Sequence, residues 1–158
     1  MKLSWGGMIG TAATVVTLIG GIVAIKQYYD QTPTHDLSGT WTITNKIDQT
    51  SYSAFMNLEL TYTVTITQSG SDFTGSGTKT MESGQPVIGK AHTPIQIKGK
   101  LNKDSILASF IEQGTTREST GEFRWKLAKD GSWVGTFFSD AANSKGTSVL
   151  RQMSAAPQ

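Results

Sequence analysis

Leu58-Glu59-Leu60-Thr61-Tyr62-Thr63-Val64-Thr65-Ile66-Thr67 alternates an apolar side chain with a polar one at every step. Extended, this stretch puts Leu58, Leu60, Tyr62, Val64 and Ile66 on one face, and Glu59 with the four threonines on the other. A period of two is the strand period. Threonine, β-branched and polar, suits the solvated face of a pleated sheet. The stretch is read as a strand with one buried face. The pattern recurs downstream: Ile95, Ile97 and Leu101 alternate with Gln96, Lys98 and Lys100, and Phe123, Trp125 and Leu127 alternate with Arg124 and Lys126.

Between such runs stand tight-turn sequences: Ser69-Gly70-Ser71-Asp72, Asn102-Lys103-Asp104 and Lys129-Asp130-Gly131. The expected strands are 39–47, 58–68, 72–81, 93–101, 104–112, 120–128, 132–139 and 146–152. The longest gap, Glu82 to His92, carries Gly84, Pro86 and Gly89, and no helical period follows residue 36. Short antiparallel strands with one apolar face close into an up-and-down barrel or stack as a sandwich. Sequential tight turns favour the barrel. The expected fold is all-β, an eight-stranded antiparallel up-and-down barrel, whose interior is filled by side chains or holds one small ligand.

The chain before residue 37 reads differently. Trp5 to Ile25 carry no charge. At ~1.5 Å per residue they reach about 31 Å, close to the ~30 Å hydrocarbon core of a bilayer. Lys2 and Trp5 flank one end, and Lys26, Tyr28 and Tyr29 the other, as interfacial anchors do. The run is too long for a signal-peptide core and lacks a small-x-small cleavage site. Gly6, Gly10, Ala13, Thr17, Gly20 and Ala24 recur at alternating spacings of four and three, a stripe of small residues that lets helix backbones approach in lipid. The expected organisation is a transmembrane α-helix in 1–26, a linker over 27–36, the barrel over 37–152 and a disordered tail over 153–158. The expected partners are the lipid bilayer and a second copy of the chain through that stripe. Basic residues on the two flanks nearly tie, with a barrel outside the cytoplasm marginally preferred.

Composition narrows the chemistry. The 158 residues hold 14 Lys+Arg against 12 Asp+Glu and no cysteine. That balance speaks against a nucleic-acid polymer as partner. Zero cysteine removes disulfides, cysteine zinc sites and thiol catalysis. The two histidines, His35 in the linker and His92 in the longest loop, have no ligand spacing around them and are read as solvated, so no metal is expected. Gly131-Ser132-Trp133-Val134-Gly135 misplaces the serine of a nucleophile elbow, and Gly75-Ser76-Gly77 lacks the strand-then-helix context of a phosphate loop. Those glycines are read as relief of crowding at a bend or bulge. Glu112, Glu118 and Glu122 are read as exposed around the 113–119 loop. The expectation is therefore a protein that is not an enzyme and carries no cofactor.

Leu37-Ser38-Gly39-Thr40-Trp41 at the start of the first strand resembles the Gly-x-Trp signature of the calycin superfamily of lipocalins, fatty-acid-binding proteins and avidins. The resemblance implies that Trp41 plugs the closed end of the barrel and that Arg151, near the last strand, packs across its indole. A guanidinium over an indole is also a favourable cation–π contact. The polar biotin contacts of avidin have no match in Thr42-Ile43-Thr44-Asn45. A membrane segment followed by a small barrel is similar in architecture to the transmembrane β-barrel effectors of bacterial cyclic-oligonucleotide anti-phage systems.

The expected function is binding of a small molecule by a calycin-like barrel on a single-pass anchor in a bacterial inner membrane. The alternatives are an effector whose barrel senses a cyclic nucleotide, and a filled barrel serving as an interaction scaffold. Candidate ligand-binding residues are Asn45, Tyr62, Trp125 and Trp133. Tyr62 sits mid-strand on the apolar face, where its hydroxyl needs a partner: a ligand, a strand carbonyl or a water. Trp133 is left open between interior and rim. Lys98, Lys100, Arg124 and Lys126 form outward rows, read as solubilising.

Overall fold

The computed structural model describes residues 35–89 and 92–153. The anchor, its stripe of small residues and most of the linker and tail lie outside them. Among the described residues no helix is long and apolar enough to cross a membrane.

Eight long strands make the wall, in chain order β1 (Gly39–Gln49), β2 (Glu59–Ser69), β3 (Asp72–Glu82), β5 (Pro94–Asn102), β6 (Ser105–Gln113), β7 (Glu118–Leu127), β8 (Trp133–Ser139) and β9 (Ser144–Gln152). A two-residue strand, β4 (Gln85–Pro86), pairs with the end of β3 inside what the sequence showed only as the longest gap. Each long strand pairs antiparallel with its neighbours in the chain, and β1 pairs with β9. The meander is thus a closed barrel with no free edge among the eight, and the sandwich is excluded. The expected strand bounds hold to within a few residues.

Closure follows from the alternation. Trp41, Ile43, Asn45 and Ile47 of β1, Tyr62, Val64 and Ile66 of β2, and Phe123 and Trp125 of β7 point inward and are buried, while the residues between them face out. An amphipathic sheet closed on itself removes every inward side chain from water. Each large one contributes roughly 1.5–3 kcal/mol. The outer faces of β1 and β2 carry threonine opposite threonine: Thr40 on Thr65, Thr42 on Thr63, Thr44 on Thr61.

The two ends differ. At one, tight turns join β2 to β3, β5 to β6 and β7 to β8, with left-handed backbone at Gly70, Lys103 and Gly131. Leu37 enters there fully buried, and its N–H donates to Gln68 Oε1 at 2.7 Å. His35, expected to be solvated, instead docks: its ring meets Trp133 edge-on at 5.6 Å and its Nε2 lies 3.2 Å from Asp104 Oδ1. At the other end gather the longer loops 50–58, 114–117 and 140–143, with the segment 83–89. Thr50 and Ser51 latch the first of these to the last through Ala142 O. Phe55 folds back onto the core from a 3-10 turn.

The Trp41–Arg151 pairing is corrected by register. Arg151 lies opposite Thr42, which leaves the sheet on the outer face, while Trp41 leaves it on the inner face. Arg151 is exposed, its guanidinium 3.9 Å from Asp130, and the Trp41 indole N–H donates to Leu37 O at 2.7 Å. Trp41 is buried, as expected, but it is held by the entering backbone rather than by a cation.

Candidate functional site at the loop end of the lumen

The four candidate ligand-binding residues all face the interior. Asn45 is 3% exposed, Tyr62, Trp125 and Trp133 about 2% each. The structure decides the alternation that the sequence left open: Trp133 and Phe137 point in, Val134 and Phe138 point out. The interior divides unevenly. Trp133 belongs to the tight-turn end, beside His35. Phe110, Phe123 and Trp125 form an aromatic column, with centroid separations of 4.6 and 4.5 Å and the last two rings nearly parallel at 12°.

Asn45 lies at mid-barrel, opposite Ser148 of β9 and Leu60 of β2. Ser148 is fully buried and accepts the Trp125 indole N–H at 3.0 Å. Asn45 Oδ1 is buried and accepts no hydrogen bond. A buried acceptor left unpaired costs about 1–3 kcal/mol, so this atom needs an explanation.

Toward the loops the lumen turns ionic. Tyr62 sits diagonally across the β1–β2 ladder from Asn45, within side-chain reach. The Glu112 carboxylate of β6 lies on the side of the lumen that its hydroxyl faces. Burial, with Glu112 and Glu82 nearby, pushes the Tyr62 phenol well above its ordinary 10.0, so it stays protonated. Lys79 of β3, opposite Tyr62, stands 3.9 Å from Glu112 and 3.3 Å from Glu82. Its side chain is 16% exposed and that of Glu112 is 15%.

Glu112 therefore corrects the sequence reading, which placed it in the solvent with Glu118 and Glu122. Only the latter two are exposed. Ile106, Ala108, Phe110 and Glu112 share the inner face of β6, and that alternation was the available signal. Lys79 was missed altogether, because the inner face of β3 reads Phe73-Gly75-Gly77-Lys79 and carries little apolar pattern.

Burial raises the Glu112 carboxyl above its ordinary 4.5, with Lys79 and the Tyr62 hydroxyl opposing part of that rise. A folded-state pKa above the unfolded one stabilises the fold fully below the unfolded value, and that contribution is lost as pH rises through the folded value. Glutamine mimics the protonated form at every pH. Relative to wild type, Glu112→Gln should therefore gain stability between pH 4 and pH 7. Urea unfolding of both proteins at the two pH values checks this; a gap that moves the other way would mean that the Lys79 attraction exceeds the burial cost.

The lip of this end is apolar: Tyr52, Met56, Met81 and Ile88 are exposed on or beside the long loops. The described surface also has three recesses on the outer wall, of about 580, 420 and 920 Å³, all touching Glu122. Among the described residues no cluster of acidic or imidazole side chains could hold a metal ion.

The fold is similar to that of a redesigned β-barrel, mFAP1, whose structure was solved bound to DFHBI. The TM-score is 0.52 at 12% identity, and the match covers 74% of this chain and 94% of that one. At that identity the likeness speaks for the fold alone. No protein-family model and no curated protein matches the chain.

Proposed function

We propose that the chain is a non-catalytic small-molecule-binding barrel that takes its ligand at the loop end of the lumen, between Asn45, Tyr62 and Glu112. The observation that carries this reading is the unpaired Asn45 Oδ1. A fold selected for stability alone would place an apolar residue there, whereas an acceptor kept unpaired in an apolar wall suits a ligand that brings a donor. The polar groups around it are few and converge on an aromatic column, the composition that fixes a small ligand's orientation. The uncharged stretch Trp5 to Ile25 supports tethering of the barrel to a membrane, and the small-residue stripe within it supports self-association.

A second reading, an interaction scaffold, is favoured by the recesses of the outer wall and by the tryptophans and phenylalanines that fill much of the lumen.

Native mass spectrometry of the full chain, released gently from its membranes, separates the two. The expected result is a small bound mass on wild type that Asn45→Leu loses. The same substitution should stabilise the ligand-free barrel, by about 1–3 kcal/mol, because it removes the unpaired acceptor. A nucleotide mass would point to a sensing effector. An empty wild-type barrel would overturn the ligand reading in favour of the scaffold.

A further inference from the structure

We infer that the barrel rests its tight-turn end on a membrane surface carrying anionic lipid, through Lys103, Lys126 and Lys129, with the loop end held toward water. This rests on the tethering of the chain by Trp5 to Ile25, and adds the lipid class and the face that meets it.

Two observations converge on one corner of the barrel. The first is where the chain enters. His35 docks between Asp104, in the turn joining β5 to β6, and Trp133, just past the turn joining β7 to β8. The nine residues Lys26 to Thr34 separate it from the uncharged stretch. At ~3.3–3.6 Å per residue they reach about 30 Å at most. The loop end lies a full strand length beyond His35, so the tight-turn end is the one that a tether of this length keeps beside a bilayer.

The second observation is charge. At the tight-turn end the described carboxylates are already engaged: Asp72 with Lys100 at 2.8 Å, Asp104 with His35 at 3.2 Å, Asp130 with Arg151 at 3.9 Å, and Asp36 with the Ser38 N–H. Lys103, Lys126 and Lys129 are exposed and form no ion pair among the described residues. They stand close together. Lys126 lies opposite Ser105, two residues past Lys103, and the Leu127 N–H, two residues before Lys129, donates to Asp104 O at 2.9 Å. The loop end has the opposite balance. In 46–59, 79–82, 112–118 and 140–145, six carboxylates stand against four cations, and Glu82 and Glu112 share Lys79.

Anionic headgroups supply the counter-charge that the three lysines lack within the barrel. The attraction falls away within a Debye length, ~10 Å at 0.1 M salt, so it acts only on the end that the tether holds close. The acidic loop end would be repelled by the same surface.

The test uses the full chain in nanodiscs of phosphatidylcholine alone or mixed with phosphatidylglycerol. A pulse of acetylating reagent at low salt is read lysine by lysine by mass spectrometry. Lys103, Lys126 and Lys129 should label at least about threefold more slowly in the anionic discs, and about 0.5 M salt should remove the difference. Lys46 and Lys145, toward the loop end, should label alike in both. Glutamine at all three positions (K103Q, K126Q and K129Q, each on an exposed side chain) should strip Lys100, at the same end, of its own protection. Even labelling in the two discs, or slowing at Lys46 and Lys145 instead, would overturn the inference and leave the tether standing. A chain that enters neither disc would overturn the tether, and this orientation with it.

Discussion

Trp41→Ala should lower the stability of the barrel by about 3–5 kcal/mol, the range for deleting a large buried aromatic side chain. Typical domains hold only ~5–15 kcal/mol in total, so the loss is a large share of the margin and the variant should melt well below wild type. Three effects add. The indole is 3% exposed, so its removal leaves a cavity rather than a surface dent. The Leu37 carbonyl loses the N–H it accepts at 2.7 Å. Leu37 itself, fully buried where the chain enters the barrel, loses the ring that fixes it. Trp41→Phe keeps much of the volume and loses the hydrogen bond, so it should fall between the alanine variant and wild type. Thermal melting of the three full-length proteins, followed by near-ultraviolet circular dichroism, reads the order directly. An unshifted alanine transition would mean that the tight-turn end is not closed by this residue.

The same region shows what a one-dimensional pattern carries. Trp41 was legible as buried because Gly39-Thr40-Trp41 opens a strand whose inner face is apolar. Its partner was not legible. Arg151 follows Leu150, which is fully buried, so the period of two already turns Arg151 outward. The resemblance that paired it with Trp41 overrode that arithmetic. Trp133 shows a different limit. Trp133-Val134-Gly135-Thr136-Phe137-Phe138 has an apolar residue on both faces, so alternation cannot choose. Pairing does: Trp133 stands opposite Leu127 and Leu150, whereas Val134 stands opposite Lys126 and Val149.

The ionic cluster was the least legible part. Glu112 could have been placed inward by the run Ile106-Ala108-Phe110, but its partners come from β2 and β3, far away in the chain. Such a contact exists only once the barrel closes, and no spacing in the sequence announces it. The unpaired Asn45 Oδ1 is of the same kind. Asn45 was singled out for its place on an inner face, but the missing hydrogen bond is a property of the packed lumen.

Gly135→Ala should be nearly as damaging as loss of Trp41, although it adds a single methyl group. A Cβ built on Gly135 would fall 1.8 Å from Arg124 O and 2.9 Å from Trp125 Cα. Both are backbone atoms of β7, so no side-chain rotation relieves the clash and the two strands must part. Overpacking that side chains can absorb costs about 1–3 kcal/mol; here about 3 kcal/mol or more is expected. The register adds a second cost. Trp125, Gly135 and Ser148 lie in one row across β7, β8 and β9, all on the inner face. The Trp125 indole crosses β8 to reach Ser148 Oγ, and it can do so because position 135 has no side chain in its path. Alanine should therefore both separate the strands and break the 3.0 Å bond, leaving a fully buried serine hydroxyl without its donor. Val134→Ala, on the outer face next door and 44% exposed, is the control and should cost well under about 1 kcal/mol. Unfolding free energies from urea titration give the magnitudes, and a red shift of tryptophan emission under native conditions reports the broken indole contact. If Gly135→Ala melts with wild type and keeps its emission, the close approach of β7 and β8 at this row is refuted. The aromatic column would then need some other support than the strand beside it.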